Sequence, residues 1–178
     1  MPKPLRLALA ILVAVAAVVG LLLFVQSRDR STISADDRGD GSAPGRLLPD
    51  QGAEHRRAPA DFKFATNPPA SGPHLPVPIR QEGAITRDQL LHALEAGNVV
   101  IIFGKRADEP RLRALQDDVS GPFDPDLARV GQAVIVTRQP QSKDIIALAW
   151  RRELRTRAPD DPKLLAFTEA WVGKGAGE

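Results

Sequence analysis

The chain contains no cysteine and only one methionine, Met1. Without thiols it has no disulfide and no thiolate metal site, so any stapling must come from an ordinary apolar core or from nitrogen and oxygen ligands. Aromatic residues make up only 4% of the sequence, and the formal net charge is only +2. Basic and acidic side chains are interleaved, as in "RDRSTISADDRGD" and "RRELRTRAPDD". Nucleic-acid binding calls for a clustered basic face with aromatic stacking platforms, so no nucleic-acid partner is expected. No glycine-rich loop enters a helix as in nucleotide binders, and Ser71 in "ASGPH" does not sit in a nucleophile elbow. Asp117–Asp118 and Asp160–Asp161 read as helix-end and surface carboxylates, so no catalytic residue is assigned.

What is present first is an unbroken apolar run, Leu7–Val25. At about 1.5 Å per helical residue it is long enough to cross a bilayer. Lys3 and Arg6 precede it, which places the N-terminus in the cytoplasm and the rest of the chain outside, on a single span of the inner or cytoplasmic membrane. The run exceeds a signal-peptide core, and "QSRDRSTISA" offers no small-x-small cleavage site behind it, so an uncleaved signal anchor is expected over residues 1–26. Residues 27–50, rich in Ser, Asp, Arg and Gly, read as a flexible stalk. One extracytoplasmic domain is expected over residues 51–174.

Up to Gly83 this domain is proline-rich and aperiodic, with one short strand expected at Asp61–Ala65. "TRDQLLHALEAG" then reads as a helix with both ends encoded: Thr86 and Gln89 form a capping box, and Gly97 suits a left-handed end. Strands are expected at Asn98–Phe103, Gln132–Arg138 and Ile145–Trp150, the last two close enough to form a hairpin. Helices are expected at Asp108–Val119, with Pro110 in the first turn, and after the Asp161 cap with Pro162 next. The order α-β-α-β-β-α implies an α+β fold, a small sandwich of helices on a sheet. Leu90, Leu94, Val100, Ile102, Ile135, Ile146, Leu148, Phe167 and Trp171 are expected to share one core.

The three histidines carry the chemistry. At about 100° per residue, His92 lies roughly 150° from the leucine stripe of its helix, beside Ala93 and Ala96, so it is not a core residue. In "NPPASGPHLP" the prolines restrict the backbone while Gly72 permits a bend before His74. Such a loop loses little entropy on ordering and is able to present His74 to the face carrying His92. Glu95 lies one turn from His92 (i, i+3). Three imidazoles and this carboxylate meet the needs of Zn²⁺ or Cu²⁺, whereas Cu⁺ without sulfur ligands fits poorly. His74, His92 and Glu95 form the expected metal set, with His55, in the soft segment "AEHRRAP", as its outlying member.

The segments "GAEH", "NPPASGPH", "HALEAG", "AVIVTRQP" and "IALAW" resemble the bacterial family called domain of unknown function 3105, over about residues 52–172. Its pattern runs Gly-x-x-His, Asn-Pro-Pro-Thr-Ser-Gly-Pro-His, then His-x-Leu-Glu-His-Gly, so His55, His74 and His92 all fall on histidine positions. The resemblance implies a membrane-anchored or secreted protein whose biochemical role is not established. Ala70 replaces the threonine of the pattern and Ala96 its last histidine. The pattern has the His-x-x-Glu-His spacing of inverted zinc-protease helices, and Ala96 removes one ligand from that enzyme reading. Two readings stay open: an anchored extracytoplasmic metal-binding module, and a metal-free envelope accessory in which the stiff loop and helix dock a protein partner.

Overall fold

The computed structural model describes residues 43–177. The Leu7–Val25 run and most of the expected stalk lie outside the described residues. Among the described residues no helix is long and apolar enough to cross a membrane.

Five strands, β1 (Arg46–Leu47), β2 (Val99–Phe103), β3 (Val134–Arg138), β4 (Ile145–Ala149) and β5 (Arg152–Thr156), form one sheet in the order β1-β5-β4-β2-β3. Among the described residues four α-helices accompany it: α1 (Arg87–Ala96), α2 (Glu109–Ser120), α3 (Pro125–Arg129) and α4 (Pro162–Trp171). The architecture is mixed α+β, as the alternation of patterns implies. β2 runs "VVIIF" and is buried along its whole length, so it takes the interior between β3, to which it is parallel, and β4, to which it is antiparallel. β3 and β4 are therefore not the expected hairpin. Their connection crosses the end of β2 at Gly104, where an added Cβ would strike the Ser142 carbonyl.

A second correction concerns the core. Alternate residues of a strand face opposite ways, so β2 sends Val100 and Ile102 to one side and Val99, Ile101 and Phe103 to the other. The first side joins Leu90 and Leu94 of α1 with Ile135, Ile146 and Leu148. The second joins Leu112 of α2 with Leu164 and Phe167 of α4, with Trp171 packed against them. Phe167 and Trp171 thus belong to a separate core, and the sheet is covered on both faces.

The fold also extends past its expected limits. β1 pairs with β5, Leu48 is buried, and Pro44 accepts a hydrogen bond from Trp171 Nε1, so the fold begins before Gln51. At the other end, Ala176 N–H donates to Glu95 O. The expected strand at Asp61–Ala65 is absent. Gln51 takes its place as backbone partner, accepting from Ala65 N–H and donating to Lys63 O, while Phe62 and Phe64 pack edge to face.

Candidate metal centre

Helix α1 begins and ends where its sequence dictates. Thr86 and Gln89 close the capping box, and Gly97, at φ 114°, sits in the left-handed cap. Leu90, Leu91 and Leu94 are buried against the sheet, which turns His92 and Glu95 towards the opposite side. His92 is partly exposed, in keeping with its place off the leucine stripe.

The proline-rich loop meets that side and is held at many points. Its Asn67–Pro68 bond is cis, Asn67 O accepts from Arg155, and Ala70 O accepts from Arg151 N–H in the turn between β4 and β5. Ser71 is buried, accepting from Gln51 N–H and donating to Pro49 O, so its hydroxyl is committed to holding the loop. Gly72 has φ 128° and lies beneath the Phe64 ring, where a Cβ would meet the ring at 2.8 Å. The next segment runs alongside Gly52–His55: Gly72 N–H donates to Gly52 O and His74 N–H to Glu54 O. The result is a parallel bridge between His55 and His74. That bridge brings the outlying His55 into the cluster.

All four expected side chains therefore converge, each offering one ligand atom, and these atoms lie within 4.8 Å of one another. Glu95 Oε2 is the common point, 2.7 Å from His55 Nε2, 3.1 Å from His74 Nε2 and 3.5 Å from His92 Nδ1. His74 is fully buried and His55 half exposed. The rings stand edge to face or tilted rather than stacked, with centroids 5.3 to 5.9 Å apart.

The proton arrangement follows from the partners. His74 Nδ1 lies 2.9 Å from Gly72 O. A carbonyl can only accept, so Nδ1 carries a proton, and the opposite nitrogen, Nε2, faces Glu95 Oε2 at hydrogen-bond distance. That contact is closed either by a second proton on the ring, donated from Nε2 to the carboxylate, or by a cation that takes the place of this proton. The Gly72 carbonyl thus does for His74 what an outer-shell acceptor does for a metal-binding histidine, fixing tautomer and ring orientation. No sequence signal singled out that carbonyl. His92 Nδ1 is buried and makes no well-formed hydrogen bond; its nearest charged neighbour is Glu95 Oε2 at 3.5 Å.

Burial, with a smaller contribution from the charges of His74 and His55, holds the His92 pKa below its ordinary value against the opposing charge and hydrogen bond of Glu95. Burial by itself raises Glu95, but the hydrogen bond from His55 and the charges of His55 and His74 hold its carboxyl below the usual range. The resting forms favoured by these shifts, a neutral imidazole and an ionised carboxylate, are the ones that ligate cations.

The family described as "Protein of unknown function (DUF3105)" matches residues 55–178, and the chain belongs to it. No curated protein and no solved structure matches the chain.

Proposed function

We propose that this DUF3105 protein holds one divalent cation, Zn²⁺ or Cu²⁺, through His55 Nε2, His74 Nε2, His92 Nδ1 and Glu95. The observation that carries the reading is the convergence of His55, His74, His92 and Glu95, whose ligand atoms all lie within 4.8 Å of one another, with the buried His92 Nδ1 making no well-formed hydrogen bond. A cation accepts the lone pairs of His92 Nδ1 and His74 Nε2 at once and takes the place of the proton between His74 and Glu95. Tetrahedral ligands at 2.0–2.2 Å from a metal lie roughly 3.4 Å apart, so the cluster needs only side-chain adjustments to close around an ion. Three imidazoles and one carboxylate fill the four positions of a closed zinc site, which supports holding an ion rather than activating a water on it. Among divalent ions such a set favours Cu²⁺ over Zn²⁺ in affinity.

The module is carried outside the cytoplasm on a single N-terminal span, Leu7–Val25, a reading supported by the length of that run and by Lys3 and Arg6 before it.

Calorimetric titration of the metal-free purified chain tests the binding reading. One ion per chain is expected, bound about tenfold or more tightly at pH 7.5 than at pH 5.5, because the imidazoles must shed protons to ligate. His74→Ala and His92→Ala should each weaken binding by about tenfold or more, and His55→Ala by less, since water can replace a half-exposed ring. Absence of binding, or affinity unchanged in all three variants, would leave the loop and helix as a metal-free docking surface.

A further inference from the structure

The last turn of α1, which carries Glu95, is enclosed by a segment far away in sequence. Helix ends leave carbonyls without intrahelical partners. Here Ala176 N–H donates to Glu95 O at 3.0 Å, and Gly173 N–H is shared between Gly97 O at 2.9 Å and Gly131 O at 3.1 Å. The approach is so close that only glycine fits at several points. A Cβ at Gly175 would strike the Glu95 carbonyl, one at Gly131 the Ala96 carbonyl, and one at Gly97 would meet the Gly173 backbone at 3.1 Å. Gly97, Gly131 and Gly173 all have positive φ, so each is demanded by conformation as well as by space. The segment is held from its own side by α4, whose Trp171 lies beneath Arg152 and Lys174.

We propose that Gly173–Ala176 is a latch that positions Glu95 for cation binding. The inference rests on the cation reading above and adds to it the residues that set the geometry of the site. Glu95 Oε2 lies within 3.5 Å of a ligand nitrogen from each of the three histidines. Its place therefore decides whether the four ligands meet, and the latch fixes the backbone from which it projects. Latch docking and cation binding are then coupled, and coupling is reciprocal: the factor by which the docked latch tightens binding is the factor by which the bound cation holds the latch closed.

The test titrates Zn²⁺ into the purified full chain and into Gly175→Ala, Ala176→Pro and Gly177→Ala. The first variant collides with Glu95 O and the second removes the N–H that bonds it, whereas a Cβ at Gly177 meets nothing within 4 Å. Expected are about tenfold weaker binding for the first two and unchanged binding for Gly177→Ala. In the wild-type chain, the Ala176 amide, where it exchanges through local opening faster than the core amides of β2, should slow by the same factor on saturation with Zn²⁺, whereas a merely structural tail that opens on its own would keep its rate. This second readout decides the matter if either latch variant fails to fold. Wild-type affinity in both latch variants, or Ala176 exchange indifferent to Zn²⁺, overturns the latch alone. A wild-type chain that binds neither Zn²⁺ nor Cu²⁺ overturns the cation reading and the latch with it.

Discussion

At Glu95 a single carboxylate oxygen serves three imidazoles, which ties the stability of the metal-free chain to pH through two groups. His92 is held below its ordinary pKa of 6.5 by burial. As pH falls past that value the unfolded chain takes up a proton that the folded chain resists, so stability is lost. Glu95 is held below its ordinary 4.5 despite the burial that opposes this, by the bond and charge of His55 and the charge of His74. Its contribution is present above 4.5 and is lost as pH falls through the lowered value. Melting curves of the metal-free chain should therefore show a decline beginning near pH 6.5 and a further one below 4.5, with His92→Ala removing the first. A melting temperature flat between pH 7.5 and pH 5 in the wild-type chain would contradict this assignment.

At the scale of elements, α1 does most of the positioning, and it was also the most legible part of the sequence. Its capping box, its glycine end and its leucine stripe are all local signals, and each acts as read. Leu94 is fully buried in the core between α1 and the sheet, so Leu94→Ala should cost about 2–5 kcal/mol as a cavity substitution. A loss under about 1 kcal/mol in denaturant melts would remove α1 from that core. β5 was not legible, for a physical reason. Its sequence "RELRT" buries a charge rather than an apolar stripe: Glu153 is 3% exposed and is held by Arg46 and Arg155. Such a strand shows no hydrophobic alternation, and its partner β1 lies in a segment whose composition resembles a linker. The split of the core was hidden for a related reason. Full burial of β2 on both faces leaves no alternation to say which residue points where.

At the scale of the whole molecule, the candidate site is assembled from three distant segments, Gly52–His55, Gly72–His74 and the His92–Glu95 turn, joined by the backbone bridge between His55 and His74. The residue types were visible in the sequence, but the bridge and the Gly72 carbonyl behind His74 were not, because backbone pairing across a loop leaves no pattern in side chains. A fold built this way, with no disulfide available, would gain a cross-link from a bound cation, worth about 2.7 kcal/mol at a free concentration one hundred times Kd. The proposed span makes a separate prediction. Protein extracted from membranes should retain its N-terminal segment, and a mature N-terminus between about Ser27 and Asp40 by mass spectrometry would contradict the uncleaved anchor. The most direct test of the cation centre is nitrogen NMR of the imidazole rings during Zn²⁺ titration, since the chain has only three histidines. The account predicts that His55 Nε2, His74 Nε2 and His92 Nδ1 shift to metal-bound values and saturate together at one ion per chain, while His74 Nδ1 stays protonated against Gly72. Ring signals unchanged by Zn²⁺, or shifting singly without saturation, would contradict it.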